Sequence, residues 1–291
     1  MNSFRDQLAL VSKVDTENNI WLIQAAGRQW CTYNDKKQIT EPQGGEYAAL
    51  VQINLSNGMP HNVSHKLELP VSAQVVRAHF AWALPGHIDA QTELWKISAS
   101  IADPVLKDFL VAVLSDAKIM YAFYRGKASH SFHHSVKGEL FTHSVEVAVA
   151  AKQMAAEFGL GQRTQDCAFV CGLLHDIGKL LMFYNTGKDK EQGVNGQHEA
   201  FSFMVLAEHL EQLKAADKVL FEVVSATLSA QVSHKKHYEY IEEAIVRAVD
   251  RISAHKDELQ TAFKGKPSTK LYANAPRGRK LKRLGAEQSC A

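Results

Sequence analysis

The segment Cys171-Gly-Leu-Leu-His-Asp-Ile-Gly-Lys179 places a histidine and an aspartate, His175 and Asp176, side by side at the predicted end of a helix. An imidazole and a carboxylate in one small volume suit a divalent cation that acts in hydrolysis at phosphorus. The dipeptide alone is weak evidence, because many unrelated sequences contain it by chance. Its meaning depends on whether other parts of the chain supply further ligands.

His143 is the second candidate ligand, in a helix predicted from Glu139 to Phe158. Apolar residues recur around it at helical spacing, which points its ring toward the core: Leu140, Val147, Ala150 and Met154. A lone histidine on such a face is usually a hydrogen-bonded core residue. A short loop over residues 159–163, however, joins this helix to the one that ends at His175, so both rings can reach one ion.

Asp250 is the candidate for a further ligand, from a helix predicted over Tyr238–Ala254. The apolar face of that helix is formed by Ile241, Ile245, Val249 and Ile252. Asp250 falls at the edge of the polar arc, where a solvated position fits the periodicity equally well. The helical pattern therefore permits Asp250 as a ligand but does not select it.

The order His143, His175-Asp176, Asp250 resembles the H…HD…D signature of the HD superfamily of metal-dependent phosphohydrolases. The segment from His133-His134 to His143-Ser144 is similar to an HH-x3-G-x-L-x2-HS motif. That motif occurs in two subgroups, the YhaM-like 3′→5′ exoribonucleases and the HD domains of TraI-type relaxases. The resemblance covers about residues 90 to 255.

This resemblance implies a divalent cation held by His143, His175, Asp176 and Asp250, with manganese, iron, nickel and magnesium all compatible. It implies hydrolysis of phosphodiester bonds in a nucleic acid or nucleotide by a metal-activated water. Asp176 and Lys179 are then the candidate catalytic residues, with the Lys179 ammonium balancing phosphate charge. An exposed lysine at a helix turn is an equally good interpretation of Lys179.

A second metal, or a group that supports the first, is a further implication for His198, His234 and the pair His133 and His134. The YhaM-like enzymes carry a His-His pair before the final aspartate, whereas this chain has Leu228-Ser-Ala-Gln231 there. Either His234 serves instead or the second site is incomplete. A loop histidine near a helix start, such as His133 or His134, can equally cap the helix.

Residues 1–86 are predicted to form a small β-rich domain, for which an OB-like barrel is one candidate. Its strand-like segments are Asn19–Ala26, Gln29–Tyr33, Glu46–Leu55, His65–Pro70 and Val75–Phe80. Trp21, Trp30 and Tyr33 either belong to the core or stack bases on an open face. Residues 87–263 are predicted to form an HD-type helical domain, so the expected fold class is mostly α. Its other expected helices are Pro104–Leu114, Thr164–Leu174, Glu199–Leu213 and Lys218–Ala230.

The formal net charge of +2 conceals a basic C-terminus, because residues 264–291 contain eight Lys or Arg and one Glu. This stretch is predicted to be a flexible tail. Its candidate nucleic-acid-binding residues are Arg277, Arg279, Lys280, Lys282 and Arg283. A solubilising tail fits the composition equally well.

The bulk composition, with 46% hydrophobic and 22% charged residues, is that of a soluble globular protein. The sequence contains neither a long apolar run nor a signal-peptide pattern, so we expect a cytoplasmic protein without a membrane partner. The predicted function is a metal-dependent phosphohydrolase. The alternative is a catalytically weak or inactive HD domain that serves as a nucleic-acid-binding or assembly module in DNA transfer.

Overall fold

The computed structural model describes residues 3–15, 17–18, 20–25, 27–33, 45–56, 59–128, 138–182, 196–229, 237–275 and 278–284. The fold is mostly α, as predicted, with an antiparallel sheet of five strands at the N-terminus. The strands of this sheet are β1 (Ser3–Asp15), β2 (Ile20–Ala25), β3 (Arg28–Tyr33), β4 (Glu46–Ser56) and β5 (Met59–Glu68). The helices are α1 (Ala73–Trp82), α2 (Ile88–Ser100), α3 (Pro104–Ser115), α4 (Ala117–Arg125), α5 (Glu139–Glu157), α6 (Gln162–Leu174), α7 (Lys179–Met182), α8 (His198–Val205), α9 (Ala207–Ala216), α10 (Lys218–Ser229) and α11 (Ile241–Phe263).

The sheet has the order β3-β2-β1-β4-β5, and its edge strands β3 and β5 approach each other. This arrangement is compatible with an OB-like, partly open barrel, which was one candidate for the β-rich domain predicted from the sequence. Successive side chains of a strand point to opposite faces. Ala9 and Val11 of β1 accordingly enter the barrel interior, while Leu8 and Leu10 join the core of the helices. Both faces of the central strands are therefore buried.

Two expectations for the N-terminal region differ from the structure. Val75–Phe80 is not a strand but part of α1, which begins after Ser72; the Ser72 hydroxyl accepts a hydrogen bond from the Val75 amide. The apolar residues of this segment suggest a strand. In the structure, however, Val76 and His79 lie one helical turn apart and are both buried, as on one face of a helix. Trp21 is buried in the barrel and packs edge-on against Tyr47, so it is a core residue and not an open stacking platform.

The predicted helices agree with the structure where a capping residue marks a helix end. Asp103 caps α3 by accepting a hydrogen bond from the Leu106 amide, and Gly159, with φ of +69°, follows the end of α5. The expected helix Glu199–Leu213 is divided into α8 and α9 at Leu206, and α11 continues to Phe263. None of the described helices combines the length and apolar character needed to cross a bilayer.

Close packing of α5 against α6 brings the candidate ligands together. A Cβ atom on Gly172 would lie 2.8 Å from the Ala148 Cα atom, which shows how near the two backbones approach. Only glycine fits at that crossing without a shift of one helix. His143 and His175 each lie within five residues of this contact, so the approach sets the distance between their rings.

The basic C-terminal segment is more ordered than expected. Strands β6 (Tyr272–Asn274) and β7 (Lys280–Lys282) pair as a hairpin. Ala273 and Leu281 of the hairpin pack on Phe263 at the end of α11. This small apolar cluster corrects the expectation of a flexible tail for these residues, because a few alternating apolar side chains suffice to hold the hairpin against the helix.

Candidate metal centre

Four side chains from three helical segments converge on one small volume. His143 comes from α5, His175 and Asp176 from the end of α6, and Asp250 from α11. Ligand atoms of His143, His175 and Asp176, all buried, lie within 4.8 Å of one another. Asp250 completes the group: its Oδ1 atom is 3.2 Å from His143 Nε2 and 3.5 Å from His175 Nε2. Sequence reasoning had left Asp250 undecided, and the structure places it at the cluster.

Both histidines turn their Nε2 atoms inward because their Nδ1 atoms are engaged elsewhere. His175 Nδ1 lies 2.7 Å from the Gly172 carbonyl oxygen, to which it donates a hydrogen bond. His143 Nδ1 lies 3.5 Å from the Ser253 hydroxyl. A hydrogen bond at one ring nitrogen fixes the tautomer and leaves the lone pair of the other for a metal. The two rings are therefore oriented as ligands.

The two carboxylates of the cluster, Asp176 and Asp250, favour a positive charge between them. Burial alone would lower the pKa of His175, but the neighbouring carboxylates of Asp176 and Asp250 outweigh burial and raise it to about 10. Burial would raise the pKa of Asp176, yet Lys179 and His175 hold it well below its usual range. Without a cation, a proton on His175 supplies the missing charge.

The residues present fit a divalent cation. His175 Nε2 is buried and faces Asp176 Oδ2 at 3.3 Å, but it makes no hydrogen bond with any residue that the structure describes. A buried polar atom without a partner is costly unless another group satisfies it. Buried His79 is different, since Tyr124 Oη and the Leu114 carbonyl partner its two ring nitrogens. Two imidazoles and two carboxylates form a donor set typical of a transition-metal site.

Lys179 and His198 both lie beside Asp176. Lys179 Nζ is 2.5 Å from Asp176 Oδ2, and the lysine side chain is largely buried rather than exposed. His198 Nε2 is 3.0 Å from Asp176 Oδ1. Asp176 therefore faces the histidine pair and Lys179 through one oxygen, and His198 through the other.

The position of His198 depends on Gly178. A Cβ atom on Gly178 would lie 1.8 Å from the His198 carbonyl oxygen, and the Gly178 amide donates to Ser202 Oγ at 3.1 Å. Glycine is required here because the turn is in direct contact with the start of α8.

Four supporting residues were missed by the sequence analysis. Ser253 donates a hydrogen bond to Glu146 Oε1 at 3.3 Å, and Lys256 forms an ion pair with the same oxygen. Glu199 is buried, with its Oε2 atom 3.4 Å from His198 Nδ1. Helical spacing could have indicated two of them, because Glu146 and Ser253 lie three residues after His143 and Asp250 on the same helix faces.

The remaining candidates fall into two groups: residues outside the described part of the chain, and residues of the C-terminal hairpin. His133, His134, His234 and Arg277 lie outside the described residues. The hairpin carries the other basic candidates, and two of them have internal partners: Arg279 forms an ion pair with Glu258, and Arg283 lies 4.2 Å from the Phe263 ring centroid. Cys167 and Cys171 are both buried in α6.

Comparison with known proteins supports the superfamily assignment. Residues 117–245 match the family model of the HDOD domain, a domain related to the HD superfamily. That range includes His143, His175, Asp176 and His198 and ends five residues before Asp250. The chain is similar to Ribonuclease Y of Mesoplasma florum, with 34% identity over 110 residues.

That alignment covers 36% of this chain and 21% of the ribonuclease, so the chain spans about a fifth of the length of the curated relative. A comparison of the chain with solved protein structures found no match. Residues 117–245 are therefore similar to an HDOD domain, and His143, His175 and Asp176 within this range form a group that could hold a metal ion.

Proposed function

We propose that this protein is a metal-dependent phosphohydrolase that cleaves phosphodiester bonds in a nucleic acid or nucleotide. The observation that carries the proposal is the buried Nε2 atom of His175, which faces two carboxylates without a hydrogen-bond partner among the described residues. His143, His175, Asp176 and Asp250 would hold the cation. A divalent cation there would supply Lewis-acid activation of water and neutralise charge on the phosphate.

Lys179 is the residue of this chain best suited to bind the phosphate. Its ammonium group is 2.5 Å from Asp176 Oδ2 and remains 19% exposed, so it is held at the edge of the cluster with a path to solvent. A lysine is a point-charge donor that can turn from one anion to another. On substrate binding it would share its charge between Asp176 and a phosphate oxygen.

A nucleic-acid substrate is supported by the C-terminal hairpin. Lys280 and Lys282 lie 4.8 and 5.6 Å from the Tyr272 ring centroid, and Tyr272 is 45% exposed. An exposed aromatic ring between two lysines offers stacking and phosphate contacts on one surface. The similarity to Ribonuclease Y points in the same direction. A closer relationship to the YhaM-like exoribonucleases or the TraI-type relaxases remains a prediction.

A second candidate function is favoured by the charge balance of the cluster. Lys179 and a protonated His175 together offset the charges of Asp176 and Asp250 without any ion. The domain could then be a catalytically idle module that binds nucleic acid or assembles with other proteins in DNA transfer.

Metal content and hydrolysis distinguish these two functions. The full chain is purified, its metals are measured by mass spectrometry, and cleavage of bis(p-nitrophenyl) phosphate and of single-stranded RNA is assayed with added manganese. The enzyme proposal expects close to one equivalent of metal and activity that is lost in Asp176→Asn. Less than about half an equivalent, together with no hydrolysis of either compound, would favour the idle module.

Asp257→Asn is the matched control, because Asp257 lies on α11 two turns beyond Asp250 and outside the cluster. It should retain both metal and activity. If Asp257→Asn and Asp176→Asn lose metal equally, the loss reflects a general change of the fold, and the assignment of the cluster fails.

A further inference from the structure

A cleft of 360 Å³ opens at one end of the barrel, between the strands and the start of α2. Gln7, Arg28, Trp30 and Ile53 line it from the barrel, Gly86 lines it from the segment before α2, and Asp89 lines it from the first turn of α2. Its volume lies within the range of small-molecule sites, which often occur in the mouths of barrels. It shares no residue with the metal cluster.

The strand register shows that the barrel side chains of this cleft belong to the interior face. Gln7 pairs with Val51, and Trp30 pairs with Ile23; Val51 and Ile23 are both in the barrel core. Residues that face each other across paired strands point to the same side. The cleft is therefore the open end of the barrel core, where polar side chains replace the apolar ones found deeper inside.

The lining combines a flat ring with hydrogen-bonding groups of both kinds. Trp30 is half-buried and packs against the barrel core. Gln7 Oε1 is shielded from solvent and has no hydrogen-bond partner among the described residues. Arg28 is exposed and supplies donors, whereas Asp89 is exposed and supplies acceptors. A ligand that satisfies this set is a planar aromatic ring with donors and acceptors along its edge.

We propose that the barrel mouth binds the base of a nucleotide. The base stacks on the Trp30 indole, its amino group donates to Gln7 Oε1, and Arg28 contacts a ring carbonyl or the phosphate. The choice of a nucleotide rests on the proposed function. The binding itself needs neither the metal nor the catalytic residues, because the two sites lie in different parts of the fold.

Binding is measured with the Asp176→Asn protein, so that no hydrolysis occurs and a failure of the catalytic proposal leaves this test intact. The probes are AMP, CMP, UMP, ribose 5-phosphate and a single-stranded adenosine hexamer, titrated by calorimetry and by tryptophan fluorescence. Binding of AMP and CMP indicates a site for free nucleotides. Binding of the hexamer alone indicates a site for a strand, and both outcomes support the proposal.

Two variants test the location of the site. Trp30→Ala should weaken binding about tenfold or more, the usual effect of losing one stacked base. Gly86→Leu should block the cleft without strain in the fold, because a Cβ atom at Gly86 meets no atom within 4 Å. Gly161→Leu is the matched control, since Gly161 also has open space around it but lies in the loop between α5 and α6.

The proposal is overturned if ribose 5-phosphate binds as tightly as AMP, because the base would then contribute nothing. It is also overturned if no probe binds, or if Gly86→Leu and Trp30→Ala both bind with the affinity of the parent. Gly86→Leu keeps the test decisive should Trp30→Ala fail to fold.

Discussion

The Gly178 Cα atom and the His198 carbonyl oxygen are so close that a Cβ atom on residue 178 would lie 1.8 Å from that oxygen. The turn that carries Asp176 is therefore in direct backbone contact with the first residue of α8. Asp176 Oδ1 and His198 Nε2, 3.0 Å apart, are held together by this backbone contact. The absence of a side chain at Gly178 therefore allows the His198 ring of α8 to face the cluster.

Gly178→Ala should displace α8 and destabilise the protein by more than about 2 kcal/mol, since an added methyl group in a packed region forces the backbone to shift. The measurement is urea unfolding of the metal-free protein. Gly161→Ala is the control, because a Cβ atom there meets no atom within 4 Å. Equal stability of the two variants would show that the contact between the turn and α8 is not tight.

Metal affinity should rise with pH. Although burial opposes it, Asp176 and Asp250 raise the pKa of His175 to about 10, so at neutral pH a cation must displace a proton from that ring. The pKa values of both carboxyls are lowered, so they are already ionised and release no proton. The association constant should increase about tenfold for each pH unit between 6 and 9.

Calorimetry in buffers of different ionisation enthalpy counts the protons released, and about one proton per cation is expected. An association constant that does not change with pH would mean that His175 is neutral in the metal-free protein. His175→Ala should weaken binding and remove the proton release.

Ser253→Ala should weaken metal binding by about 10–100-fold without unfolding the protein. Ser253 links His143 Nδ1 to the Glu146 carboxylate, and loss of such a support usually costs that much affinity. Ser229→Ala is the control, because among the described residues the Ser229 hydroxyl bonds only to the Ala226 carbonyl of its own helix. Affinities that remain equal in the two variants would show that Ser253 does not orient His143.

Removing Lys280 and Lys282 together should reduce the salt dependence of nucleic-acid binding. Each phosphate contact with a single strand contributes about 0.7 to the slope of log K against log salt, so the slope should fall by about 1.4. Binding of a single-stranded oligonucleotide is measured over a range of salt concentrations.

The double variant Lys214→Ala and Lys218→Ala, at exposed positions of α9 and α10, is the control. Arg279 is kept, because its ion pair with Glu258 joins the hairpin to α11. An unchanged slope after loss of Lys280 and Lys282 would exclude the hairpin from the binding surface.

Sequence periodicity was informative wherever a helix had a marked end and a single buried face. The apolar stripe around His143 and the glycine after α5 led to the correct helix and to a ring pointing into the core. Asp250 could not be decided in this way, because its side chain is 25% exposed and lies at the border between the two faces of α11. Only the packing of α11 against α5 and α6 brings it to the cluster.

Contacts between residues that are distant in the sequence could not be predicted, for a different reason. Nothing in the pattern around Gly178 indicates that α8 returns to it, because that approach depends on the path of the intervening chain. Strand β1 was also not recognised: Leu8 and Leu10 face the helices while Ala9 and Val11 face the barrel, so its apolar residues do not alternate. A strand that is buried on both sides cannot be distinguished from a buried helix by periodicity.

Strands β1 and β4 supply side chains to both the barrel interior and the helical core. The sheet therefore belongs to both hydrophobic cores. Cutting the chain near residue 86 would leave Leu8, Leu10 and Leu50 without cover on one side. It would also open the helical core to water on the other. The free energy of unfolding is then shared between barrel and helices, and cooperative loss of both in a single thermal transition is the natural outcome. A ligand held by the barrel alone would raise the melting temperature of the helices as well.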